Sequence, residues 1–370
     1  MNFFPAEIQV TPFLPVKGIY YIGQYGTCGY ASAARGLLYH YFSLGVPITW
    51  EPLYFDNSKL SDDDAYNIVI GSLINKKIEY DVVIMHSTPD LWPAFRQQYQ
   101  NKIESRIVIG CCCWETNKLP DNWVKCINGT VNEVWVPSTY NEKTYKDSGV
   151  TRPIRVVPYV FLPKPLPLKS NINLNFFDEE KYINYKNRFT FYFIGEINHR
   201  KGVGDTIQAF CETFSEKDQV QLILKIHNKG YSNENKLNCK FEMAKLIKSH
   251  TAKAPIICLT ENLTENNIVA LHSLGDCYVA LVKSEGFGLP IFDAFNYGKT
   301  VIATGHGGQV DFLKGPRARL VEYSLGPVTG MNSMYYEEDQ IWAYPDIQHA
   351  KRLMREVYEE AKDKYGIRSI

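Results

Sequence analysis

Charge of either sign is not in excess: 40 Lys and Arg stand against 40 Asp and Glu in 370 residues. A chain so balanced has no electrostatic footprint for nucleic acid or for an anionic membrane surface. Long apolar runs are missing as well. None approaches the roughly 18 residues of a membrane span, and the start, Met1-Asn-Phe-Phe-Pro-Ala-Glu7, has no basic segment ahead of an apolar core. The expectation is a soluble protein that is not secreted, hence cytoplasmic. Cysteine is present nine times, an odd number with no Cys-x-x-Cys spacing, and Cys111-Cys-Cys113 are consecutive inside an apolar run. That argues against a zinc site or disulfide framework and for reduced core residues. The dinucleotide fingerprint Gly-x-Gly-x-x-Gly is absent too: Gly23-Gln-Tyr-Gly26-Thr-Cys-Gly29 has a different spacing, so a nicotinamide cofactor fits poorly. Asp62-Asp-Asp64 has Asp-x-Asp spacing but lies in a polar stretch before a helical pattern, where capping and solvated charge explain it. No metal site is expected.

What is present centres on Lys283-Ser-Glu285-Gly-Phe-Gly-Leu-Pro-Ile-Phe-Asp293-Ala-Phe-Asn-Tyr-Gly298. The apolar run before it, Cys277-Tyr-Val-Ala-Leu-Val282, reads as a buried parallel strand. Gly286 and Gly288 break it, and Pro290 stands where the first helical residue is expected. Backbone N–H groups at a helix start have no partner within the helix, and glycines let an anion approach them. Gly286, Phe287, Gly288 and Leu289 therefore form a candidate phosphate site. Glu285 before the turn and Asp293, expected in the first helical turn, can both face one ligand. Carboxylates accept hydrogen bonds from hydroxyls, so phosphates in the middle and hydroxyls at both ends describe a nucleotide sugar. With no ligand the same pair reads as a surface carboxylate and a charge complementing the helix dipole.

The length favours two domains, since single cores stop growing at about 250 to 300 residues. Strand patterns at residues 18–22, 46–50, 81–85, 106–112 and 133–136 alternate with helical ones, which argues for a doubly wound parallel sheet. Gly26 lies in a glycine-rich loop that delivers a helix start, or in a plain tight turn. His86 follows a strand, where ligands bind in such sheets, but a satisfied structural imidazole fits equally. Glu115 is either a site residue or an ordinary loop carboxylate. Three prolines in Phe161-Leu-Pro-Lys-Pro-Leu-Pro-Leu-Lys169 exclude a helix interior or central strand and mark a linker. The divisions expected are a first domain over 1–160, a linker over 161–188, a second domain over 189–345 and a C-terminal helix over 346–370. In the second domain, strand patterns begin at residues 189, 220, 256, 278, 300 and 319. Arg200-Lys201-Gly202 follows the first of these and can neutralise charge on a departing diphosphate, or be a solvated loop pair.

Glu285 and Asp293 with seven residues between them resemble the Glu-x7-Glu signature of GT-B-fold retaining glycosyltransferases of family 4 (glycosyl transferases group 1), here with Asp second. Cys113-Trp-Glu-Thr116 and Asn132-Glu-Val-Trp-Val-Pro137 are similar to segments of some members. The resemblance implies two Rossmann-like domains facing across a cleft, with a C-terminal helix crossing back to the first. It implies a retaining hexosyltransferase, metal-independent and without cofactor, taking a nucleotide sugar (GDP- or UDP-linked, with GDP-mannose favoured) to a glycan or other hydroxyl acceptor. It gives Glu285 and His86 to the donor sugar, Asp293 to the ribose, Lys201 to the diphosphate, and places Thr260 and Leu263 near the nucleobase and Gly26 near the phosphate. The family's Arg after the strand glycine is Glu196 here, with Arg200 the candidate replacement. A GT-B epimerase or phosphorylase, or a catalytically weak nucleotide-binding protein, are the alternatives.

Overall fold

The computed structural model describes residues 16–55, 60, 64–168, 188–227, 233–251, 253–331, 334–337 and 339–365. Most of the expected linker, residues 169–187, lies outside them, as do Asp62 and Asp63. The chain divides into two units, one of residues 1–114 and 118–162, the other of 115–117 and 163–370.

In the first unit the strands are β1 (Ile19–Tyr25), β2 (Ile48–Tyr54), β3 (Val82–His86), β4 (Ile107–Cys111), β5 (Glu133–Val136) and β6 (Ile154–Val156). They form one parallel sheet in the order β2-β1-β3-β4-β5-β6. The helices are α1 (Gly29–Ser43), α2 (Ala65–Gly71), α3 (Trp92–Gln98), α4 (Gln100–Ile103), α5 (Asp121–Thr130) and α6 (Thr139–Asp147). β3 is buried at every residue, which is why its sequence is a near-continuous apolar run rather than an alternating one. Asp64 caps α2 through the Tyr66 and Asn67 N–H groups, and Ser138 caps α6 through that of Asn141. One expectation fails here. β1 does not stop at Ile22 but runs through Gly23, which pairs with Pro52 and His86, so the loop begins only at Gly26.

The second unit holds β7 (Phe189–Glu196), β8 (Val220–His227), β9 (Ile256–Leu259), β10 (Cys277–Ala280), β11 (Thr300–Thr304) and β12 (Ala318–Val321). All are parallel, in the order β12-β11-β10-β7-β8-β9. The order reverses between β7 and β10, and the loops leaving the carboxyl ends of these two neighbours open a crevice where open α/β sheets bind ligands. Its helices are α7 (Val203–Thr213), α8 (Asn233–Ser249), α9 (Glu265–Leu274), α10 (Leu289–Asn296) and α11 (Ile347–Tyr365). An antiparallel pair, β13 (Tyr323–Pro327) and β14 (Ile341–Pro345), completes it.

The core of this unit is aromatic. Phe191 packs against Phe210 and Phe214, Phe214 against Tyr358 of α11, and Phe193 stacks on Tyr278. The helix expected at the C-terminus is present as α11, and it is amphipathic. Ala350, Met354, Val357, Tyr358 and Ala361 are buried in the second unit's own core, against α7, β11 and β12. The apolar stripe of this helix is thus spent on the core of its own unit.

Candidate active site

β7 ends at Glu196, and the chain makes a single 3-10 turn, His199–Lys201, before α7. Asn198 fixes the turn: its Oδ1 accepts from the Lys201 N–H at 2.9 Å, while its Nδ2 donates to Glu196 Oε2 at 3.0 Å. Gly202 follows at φ +62°, and a Cβ there would lie 1.8 Å from the Leu281 carbonyl oxygen. Only glycine permits that backbone and that approach. The turn is consequently pressed against the chain leaving β10, where the Lys283 N–H donates to the Arg200 carbonyl at 2.7 Å. Lys283, 1 % exposed, anchors the same crossing by pairing with Asp205 of α7 and lying 5.5 Å over the Tyr344 ring.

The β10–α10 loop carries Glu285 into this junction. Its backbone carbonyl accepts from the Gly308 N–H at 2.8 Å, and its carboxylate receives Lys201 Nζ and, at 3.2 Å, Arg200 Nη1. Glu285 is 8 % exposed and Arg200 7 %. Burial alone raises the Glu285 carboxyl, but Lys201 and Arg200 outweigh it and hold the group below the usual carboxylate range. The Arg200 fork reaches further. Nη1 donates to the Ser284 carbonyl at 2.9 Å, and Nη2 lies 3.3 Å from Glu115 Oε1, whose companion Oε2 accepts from the Tyr336 hydroxyl at 3.3 Å.

Gly288, at φ +88°, turns the chain into α10, with Pro290 in the first turn, where its missing N–H costs nothing. Phe287 is buried against Phe292 and Phe312, ring centroids 4.9 and 5.2 Å away, which fixes the turn and aims the first-turn N–H groups out of the helix end. Asp293 is the fifth residue of α10, past the first turn in which the sequence placed it. Among the described residues its carboxylate has no hydrogen bond. Burial pushes it up to about 7, only partly offset by Lys164, whose Nζ sits 2.8 Å from Glu265 Oε2.

The structure thus brings Glu285, Lys201 and Arg200 together, with Gly286, Phe287, Gly288 and Leu289 as the adjoining helix start and Asp293 on that helix. Thr260, 3 % exposed with its Oγ1 unpartnered among the described residues, follows β9, two strands from β7; Leu263 packs on the core beside it. His86 and Gly26 lie in the first unit. His86 is wholly buried, its Nδ1 2.6 Å from the Tyr21 hydroxyl, and burial lowers it to about 3, so the imidazole is neutral. The Gly26 carbonyl accepts from the buried Arg35 guanidinium. Sequence reasoning missed Tyr336 and the Lys283–Asp205 pair. Tyr336 lies in the connection between β13 and β14 with no motif around it. Among the described residues no helix is long and apolar enough to cross a membrane.

Two six-stranded parallel α/β units of this kind are the GT-B fold of glycosyltransferases, and solved structures bear that out. HepE of Anabaena, in complex with UDP and glucose, has a TM-score of 0.61 at 13 % identity, covering 94 % of this chain and 90 % of that one. A glycosyltransferase from Rickettsia africae ESF-5 has a TM-score of 0.57 at 13 % identity, covering 94 % and 89 %. An E. coli trehalose-6-phosphate protein bound with UDP-2-fluoro glucose has a TM-score of 0.53 at 9 % identity, covering 80 % and 86 %. Residues 175–320, within the second unit, match the family model of glycosyl transferases group 1. Comparison with curated proteins gave no match.

Proposed function

We propose that the chain is a retaining glycosyltransferase that moves a hexose from a nucleotide-sugar donor to a hydroxyl acceptor. The observation that carries this reading is the convergence of Lys201 and Arg200 on Glu285, beside the start of α10 and between the carboxyl ends of β7 and β10. In this reading the diphosphate lies on the α10 amides with Lys201 Nζ turned to it, Glu285 holds hydroxyls of the transferred sugar, and Asp293 accepts from the ribose. Charge builds on the departing phosphate as the bond from the sugar C1 to the phosphate oxygen breaks, and Lys201 stabilises it. The acceptor oxygen bonds C1 on the same face, and its proton passes to the departing phosphate oxygen, so configuration is retained without a protein nucleophile. Lys201 and the helix amides supply the positive charge, and turnover is expected to survive a chelator.

The donor proposed is a UDP-hexose. The family resemblance favoured GDP-mannose, but HepE and the E. coli protein are bound with UDP or a UDP-sugar. A second reading, a nucleotide-binding protein with weak catalysis, has one observation in its favour: Lys201 and Arg200 are both paired with carboxylates, and Glu196 stands where the family has Arg. Incubation with a panel of UDP- and GDP-hexoses separates the two. Steady release of nucleoside diphosphate, with an anomeric NMR signal of unchanged configuration in the product, supports transfer. Binding of UDP without release from any donor supports the weaker reading.

A further inference from the structure

Both terminal nitrogens of the Arg200 guanidinium meet acceptors belonging to the protein itself, while its buried Nε has no partner among the described residues. It meets Glu285 Oε1 at 3.2 Å, Glu115 Oε1 at 3.3 Å and the Ser284 carbonyl at 2.9 Å. Glu115 is in turn fixed from its other oxygen by the Tyr336 hydroxyl, and the Ser284 hydroxyl donates to the Glu115 carbonyl. Residues 115–117 group with the second unit, and they are tied there again by the Ile341 N–H donating to Asn117 Oδ1 at 2.6 Å. A planar guanidinium with two carboxylates and a carbonyl on its fork is geometrically committed. Lys201 differs. Its ammonium holds a single carboxylate, that of Glu285, on a flexible stem that can turn to a phosphate.

We propose that Arg200 is a positioning residue, not a diphosphate ligand: Glu115 and Tyr336 hold its guanidinium so that it fixes the Glu285 carboxylate toward the donor sugar. This rests on the reading of Glu285 as the sugar-facing carboxylate and goes beyond it by assigning Arg200, Glu115 and Tyr336. Glu115 plays two parts. It steadies the arginine, and its negative charge cancels the arginine's, so that with Lys201 set against Glu285 the four groups carry no net charge.

Lys201 and Arg200 from the turn after β7 face Glu285, with Tyr336 from the β13–β14 connection and Tyr278 of β10, while Glu115 and Glu196 act on the Arg200 side of the pair. Removing the Arg200 contact while Lys201 stays should let burial raise the Glu285 carboxyl, because burial is the opposing influence already present. The test uses the full chain, with two independent readouts. The first is the carbon-13 carboxyl titration of Glu285 in the free protein. Arg200→Lys keeps the charge but loses the fork, so the Glu285 midpoint should rise, whereas Tyr336→Phe should raise it less. An unmoved midpoint in Arg200→Lys overturns the proposal whatever the protein turns over.

The second readout sets UDP affinity by calorimetry against turnover of the best donor. Arg200→Lys should lower turnover about tenfold to a hundredfold with UDP affinity within about threefold, since a held carboxylate acts in the transition state. Glu115→Gln should bind UDP about threefold to tenfold more tightly, having lost a negative charge near the phosphates, yet turn over more slowly. A loss of UDP affinity in Arg200→Lys as large as in Lys201→Ala would make Arg200 a diphosphate ligand and overturn the proposal. If wild type itself binds no UDP or GDP, the glycosyltransferase reading fails, and the titration alone decides the role of Arg200.

Discussion

Two carboxylates on one loop and helix meet opposite electrostatics. Glu285 is buried beside Lys201 and Arg200 and stays ionised; Asp293 is buried with only Lys164 to oppose the loss of water, and its carboxyl moves up to about 7. A group raised in the folded state binds more protons there than in the unfolded chain between the two values. Its contribution to stability therefore falls as pH rises from about 4, the ordinary carboxyl value, to about 7. Asp293→Asn should consequently be stabilised relative to wild type by more at pH 8 than at pH 4, read as the difference between melting temperatures. If Asp293 accepts from the ribose as proposed, the ionised form binds better, so wild-type UDP affinity should climb between pH 6 and 8, and the mutant should lose about 1 to 3 kcal/mol of binding at pH 8 and show a flatter profile. Equal profiles in calorimetry would take Asp293 out of the site. Glu285→Gln should act on the other quantity. It keeps the shape but drops the charge, raising the barrier by about 2 to 4 kcal/mol with UDP affinity nearly intact, because UDP lacks the transferred hexose. If UDP binding and turnover fell together, Glu285 would be shaping the phosphate loop instead. None of this electrostatic contrast was legible in the sequence. Glu285 and Asp293 are both acidic residues near a glycine turn there, and their separation comes from neighbours distant in the chain.

At the scale of elements, the turn after β7 is held to the β10–α10 loop through Gly202. Gly202→Ala places a Cβ 1.8 Å from the Leu281 carbonyl oxygen at φ +62°. The strain should cost at least about 1 to 3 kcal/mol in denaturant unfolding, and displacement of Lys201 should weaken turnover in the protein that remains folded. A variant with wild-type stability and rate would show that the loops do not need this crossing. The parallel strands were legible because burial on both faces gives continuous apolar runs such as Val82-Val-Ile-Met85 and Cys277-Tyr-Val-Ala280. The β13–β14 pair was not. Tyr323, Ser324 and Leu325 are exposed, so no apolar period marks the strand. Gly23 misled in the other direction, since a glycine inside a strand looks like its end.

For the whole molecule, both sheets and their fold were readable from the alternation of patterns, but the destination of the last helix was not. Periodicity shows that α11 has an apolar stripe; it does not say which core receives it. Met354 is wholly buried in the second unit's core, so Met354→Ala should cost about 2 to 5 kcal/mol there. Hydrogen exchange should speed up in β11, β12 and α7, the elements that α11 packs against. Unchanged exchange and stability there would show that the stripe does not hold this core. The two-unit fold and the ion-paired loop junction acquire a function only if Lys201 meets the charge of a departing nucleoside diphosphate. That claim is tested most directly by the rate at which wild type and Lys201→Ala release nucleoside diphosphate from the preferred nucleotide sugar. A loss on the order of 10² to 10³ is predicted, the effect of removing one preorganised charge-stabilising donor; equal rates in the two folded proteins would contradict it.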